Sequence, residues 1–97
     1  MQRLSPDDVK PKLARLKDWT LEDGVLKKDF GFKGFRTAIE FINRLVPLAE
    51  KLDHHPEWTN SYNRVQVNLT THSAHGLTKN DFTFAESADE VAAELRH

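Results

Sequence analysis

Seven apolar residues, Ala38, Phe41, Ile42, Leu45, Leu48, Ala49 and Leu52, recur at helical spacing as an unbroken stripe. A helix with one such stripe must lay it on another element. Further along, Val65, Val67 and Leu69 alternate with Arg64, Gln66 and Asn68, which predicts a strand buried on one face and polar on the other. A one-sided helix and a one-sided strand together call for a layer of helices against a sheet.

The remaining segments fit that plan. "SPDDVKPKL" opens a first helix, with Ser5 as N-cap, Pro6 at the first helical position and Asp8 completing a capping box. Pro11 is expected to keep this helix short or irregular. "WTLEDGVLKKDFGF" predicts two strands joined at Asp23-Gly24, and "EWTNSYNRVQVNLTTH" predicts two more. Pro47, on the side away from the apolar stripe, is expected to kink or break the central helix. A capping box at T-K-N-D starts the last helix at Thr78 in preference to the rival box S-A-D-E at 87–90. The result is an α+β chain, α-β-β-α-β-β-α, with a four-stranded antiparallel sheet and helices packed on one face.

At 97 residues the chain suits a single domain, 1–97, burying roughly two-thirds of its unfolded surface. Fourteen Lys and Arg are scattered among fifteen Asp and Glu, so there is no electrostatic footprint for direct nucleic-acid binding. No apolar run reaches the ~18 residues of a membrane span. The absence of cysteine fits a cytoplasmic protein, with the nucleus as a second compartment, and removes thiolate metal sites. The sheet would carry Gln66, Asn68 and Thr70 on its second face and leave open edges, which predicts a homo-oligomer paired edge to edge.

The chemistry concentrates in histidine. "EKLDHHPEW" sets His54 and His55 side by side, and His72 and His75 follow. Neighbours on a helix point about 100° apart, so the pair belongs to a helix exit. There both rings can enter one space, or one can point in and the other out. Three readings follow. The first makes the pair a helix C-cap, with His72 at a strand end. The second is a zinc site, which the spacing disfavours: adjacent histidines lack the i, i+4 relation, and His72-x-x-His75 has no matching second pair. The third is metal-free acid–base catalysis, with His54, His55 and His72 converging at the end of the sheet. Glu50, Asp53 and Asp81 would then fix tautomers and charge.

Glu50, His54-His55-Pro56, Tyr62, His72 and Asp81 at these spacings resemble the signature of the pterin-4a-carbinolamine dehydratases, as do "YNRV", "LTTH", "GLTKND" and the upstream Trp19. The resemblance spans nearly the whole chain. It implies a dimer or tetramer without metal or other cofactor, acting on a pterin substrate. The implied reaction is loss of water from 4a-hydroxytetrahydrobiopterin to give quinonoid dihydrobiopterin, which recycles the pterin of aromatic amino acid hydroxylases. It also implies roles: His54 and His72 as the acid–base pair, and His55 orienting the substrate hydroxyl. Asp53, Thr71 and Ser73 would meet the amide-like edge of the pterin, and Trp19 would wall its ring, although a buried tryptophan is more often core. Glu50, Pro56 and Asp81 would orient the histidines, while His75, outside the signature, would be solvent-exposed. The alternative function is a protein-binding one, as the dimerisation cofactor of a transcription factor.

Overall fold

The computed structural model describes residues 2–96. Helix α1 (Pro6–Arg15) is followed by strands β1 (Thr20–Glu22) and β2 (Val25–Gly31), helix α2 (Phe35–Leu52), strands β3 (Glu57–Ser61) and β4 (Arg64–Leu69), a 3₁₀ turn at His72–Ala74, and helix α3 (Lys79–Leu95). The strands form one antiparallel sheet in the order β1-β2-β4-β3. The predicted α-β-β-α-β-β-α architecture is therefore the observed one. No helix among the described residues is long and apolar enough to cross a membrane.

Register decides which face is core. Leu26 pairs with Leu69, Lys28 with Val67 and Phe30 with Val65, so one face of β2 and β4 is apolar apart from Lys28. Against it lie Ala38, Phe41, Leu45 and Ala49 of α2, all buried as the apolar stripe predicts, and Phe82, Ala85, Ala88 and Ala92 of α3. The rings of Phe30 and Phe41 lie 4.8 Å apart between centroids and join the two layers. The opposite face carries Lys27, Asp29, Gln66 and Asn68, paired Lys27–Asn68 and Asp29–Gln66.

Local chemistry explains the connections. Glu22 pairs with Val25 around Asp23 (φ 52°) and Gly24 (φ 75°), a two-residue turn with both central residues left-handed. Ser5 caps α1, its hydroxyl accepting from Asp8 N–H at 3.2 Å.

Neither proline interrupts its helix. Of the two forms expected for α1, the short one holds: ten residues that run straight through Pro11. The break at Pro47 is absent, since α2 runs eighteen residues through it. Each proline is exposed and frees only one carbonyl, that of Asp7 or Asn43, on residues that are exposed too. Water can satisfy those groups, so the helix survives.

Trp19 takes the core place that a buried tryptophan more often has. It is buried on the helix side of the sheet, edge-on to Phe30 at 5.9 Å, with Nε1 donating to both Asp89 oxygens at 3.1 and 3.0 Å. Lys28 Nζ joins the same carboxylate at 2.7 Å. Trp19 is a core residue tied to α3.

Candidate active site

The helix exit that holds the paired histidines is shaped by one residue. Asp53 adopts a left-handed conformation (φ 47°, ψ 47°) and ends α2, its N–H reaching back to Glu50 O at 3.2 Å. His54 N–H then bonds to Ala49 O at 2.9 Å. That reversal sends the two side chains apart: His54 is buried and His55 is exposed. Pro56 follows and leads directly into β3.

His54 turns into a buried polar network. Its Nε2 lies 2.5 Å from Asp81 Oδ1. The other oxygen of Asp81 accepts from Thr71 Oγ1 and from Thr78 N–H, each at 2.8 Å. Thr71 and Thr78 hydroxyls lie 2.9 Å apart. Thr78 and Asp81 are fully buried, so the carboxylate is compensated by three donors in place of water. Thr78 begins α3, as its T-K-N-D box predicts, and the same carboxylate caps that helix. One side chain thus ties the exit of α2, the 71–78 loop and the start of α3 together.

His55 faces the other way, onto the polar side of the sheet. Its Nε2 lies 3.1 Å from Glu50 Oε1, one helical turn back. Beside it opens a cavity of about 220 Å³, lined by His55, Pro56 and Glu57, by Asn68 and Thr70, by His72, and by Val25 and Lys27 of β2. Register puts Lys27, Asn68 and Glu57 in one row across three strands. Asn68 Oδ1 is buried in this wall without a hydrogen-bond partner. Two imidazoles on one cavity, beside a wall of amide, hydroxyl and amine groups, can exchange protons with a polar ring compound lying between them.

The residues singled out in the sequence separate into groups. His55, His72 and Pro56 line the cavity, and Glu50 holds His55. His54, Thr71 and Asp81 form the buried network behind it. Asp53 and Ser73 are exposed and outside the lining, and Trp19 lies on the far side of the sheet. Lys27, Glu57, Asn68 and Thr70 line the cavity without having been singled out for it. For Asn68 and Thr70 the signal was the polar alternation along β4, which marked the second sheet face; Lys27 and Glu57 join them only through the strand register. Among the described residues, no three His, Asp or Glu side chains come together as metal ligands.

A family model described as pterin 4 alpha carbinolamine dehydratase matches residues 2–91. A protein of Picosynechococcus sp., provisionally assigned as a pterin-4-alpha-carbinolamine dehydratase, is 44% identical over 89 residues, covering 92% of this chain and 97% of its own. One from Metallosphaera sedula with the same provisional assignment is 43% identical over 91 residues, covering 94% and 95%. A crystal structure of a transcriptional coactivator/pterin dehydratase from Brucella melitensis superposes with a TM-score of 0.90 at 41% identity, covering 94% of this chain and 99% of that one. A pterin dehydratase-like RuBisCO assembly factor of the alpha-carboxysome shares the fold at 21% identity, with a TM-score of 0.66 over 80% of this chain and 96% of its own. The chain belongs to the pterin 4 alpha carbinolamine dehydratase family.

Proposed function

We propose that this member of the family dehydrates a 4a-hydroxytetrahydropterin, 4a-hydroxytetrahydrobiopterin being the expected substrate, by histidine acid–base catalysis. The observation that carries the reading is the meeting of His55 and His72 on one cavity of the polar sheet face.

The reaction asks for two proton movements. The 4a-hydroxyl leaves as water only when protonated, and N5 gives up its proton as the C4a–N5 double bond forms. One proton is delivered and one is taken, so the pair of imidazoles ends with no net change. A free imidazole titrates near pH 6.5, which suits both directions of transfer at neutral pH. Here His55 and His72 are the acid–base pair, with Glu50 orienting the His55 ring. The burial of His54 against Asp81 favours giving it a positioning role in place of the acid–base role implied by the resemblance. Asn68 and Thr70, more than Asp53, Thr71 or Ser73, have the placement to meet the amide-like edge of the pterin. No metal or other cofactor enters the scheme. The open edges at β1 and β3 support a homo-oligomer, and the compartment expected for such recycling is the cytoplasm.

The test is the absorbance of 4a-hydroxypterin. The parent protein should accelerate its loss, and a folded His55→Ala/His72→Ala variant should leave little above the spontaneous rate. A folded parent without turnover would overturn the reading and return the chain to the protein-binding alternative.

A further inference from the structure

The histidine cavity borders further hollows at His72. A second hollow of about 240 Å³ shares Val25, Thr70 and His72 with it, and adds Asp23, Gly24, His75 and Gly76. Gly24, His75 and Gly76 also line a third hollow, a groove of about 660 Å³ between α1 and the β1–β2 turn. The three spaces share walls in sequence, with His72 between the first and second and His75 between the second and third.

The far groove has a different chemistry from the cavity. Leu4, Val9, Leu13, Leu21 and Leu77 give it an apolar floor, and Leu21 is 42% exposed there. Its charged lining is basic: Arg3 and Lys10, with the His75 imidazole beside them and no carboxylate. Arg3 is held in place. Its stem lies so close over Gly76 that a Cβ added there would stand 2.7 Å from Arg3 Cδ, and its Nη1 donates to His75 O at 3.4 Å. The N-terminal segment is fixed to the same loop by Leu4 N–H donating to Leu77 O at 2.8 Å.

We infer that the three hollows run together as one trough around the end of the sheet, that this trough receives the substituent at C6 of the pterin, and that the groove selects substituents with an apolar spacer ending in an anion. The inference rests on the pterin head lying between His55 and His72. With the head there, a short neutral side chain stays within the first two hollows. A longer one reaches the leucine floor, which favours a flat or aliphatic spacer, and its terminal carboxylate or phosphate meets Arg3 and Lys10. His75, outside the family signature, then acts as a specificity-determining residue at the mouth of the groove.

Binding of two stable probes by the full chain tests this: 6-methylpterin, which has no tail, and pteroylglutamate, whose tail is an aminobenzoyl group ending in carboxylates. Pteroylglutamate should bind about tenfold tighter or better. Arg3→Ala/Lys10→Ala and, separately, Leu21→Glu should abolish that advantage and leave 6-methylpterin unchanged. These positions are exposed, so the fold tolerates the changes. Equal affinities for the two probes, both weakened by His72→Ala, would overturn the groove and leave the head site standing. An advantage that survives both groove variants would also overturn it. Absence of binding, or binding indifferent to His72→Ala, would remove the head site and this inference with it.

Discussion

His54 Nε2 lies 2.5 Å from Asp81 Oδ1, twenty-seven residues away in sequence, and the Asp81 side chain has no exposure to solvent. A buried carboxylate with three donors is stable only while all of them remain. Asp81→Ala leaves the His54 ring, the Thr71 hydroxyl and the Thr78 N–H without their acceptor and uncaps α3. The expected loss is about 3–5 kcal/mol, the usual range for breaking a buried pair from one side. Asp81→Asn keeps two acceptor lone pairs and should lose less. Urea unfolding of both variants checks the order; a loss below about 1 kcal/mol for Asp81→Ala would show the network to be dispensable.

Glu50 and Asp81 both hold a histidine, but in different surroundings. The Glu50–His55 pair is solvent-exposed, with 70% and 59% of the two side chains accessible. Exposed pairs contribute little stability. Glu50→Gln should therefore leave the unfolding curve almost unmoved while lowering kcat several-fold through a less ordered His55 ring, less than His55→Ala does. A Glu50→Gln protein as slow as His55→Ala would show that the carboxylate itself handles a proton.

How much of this was legible in the sequence depends on the range of the interaction. The stripe from Ala38 to Leu52 and the alternation at Val65, Val67 and Leu69 are set by burial, which writes a period into the chain, and both elements appear where the period puts them. The direction of His54 against His55 was left open, because it depends on a single left-handed residue, Asp53, that no period announces. The helix prolines, of which Pro47 makes no break, were ambiguous for a related reason. Their cost depends on whether the freed carbonyl meets water, a property of the folded surface. The polar wall of Asn68 and Thr70 was visible as an unexplained sheet face, yet its link to His55 needed the β3–β4 register.

Asp53 separates a structural role from a binding one. Its left-handed backbone is strained for any residue with a Cβ, so Asp53→Gly should stabilise the protein by about 0.5–1 kcal/mol. Because its side chain lies outside the cavity lining, KM for the 4a-hydroxypterin should not change. A marked rise in KM with stability gained would restore the substrate contact implied by the family resemblance.

Chelation tests the proposed absence of a metal. His54 is paired with Asp81 in the interior and His55 with Glu50 on the surface, an arrangement suited to proton transfer more than to tetrahedral coordination. Turnover should be unchanged after exhaustive treatment with a strong chelator followed by gel filtration. Activity lost on chelation and recovered with stoichiometric zinc would end the acid–base reading.

Trp19 allows the two faces of the sheet to be probed separately. Its indole donates to Asp89, which also holds Lys28, and its ring packs edge-on against Phe30 among the helices. The cavity between His55 and His72 opens on the opposite face, with Lys27 and Asn68 in its wall. Trp19→Phe keeps most of the packing, removes the N–H and leaves Asp89 with Lys28 alone. The cost should be about 1–3 kcal/mol, the range for losing a partly buried hydrogen bond to a charged group. Within one protomer nothing connects that loss to the pterin, so kcat and KM should stay at the parent values at temperatures where the variant is folded. A rise in KM without loss of stability would place the indole against substrate. Since the sheet separates the two sites within one chain, that contact would have to come from a second copy, and the active species would be the homo-oligomer.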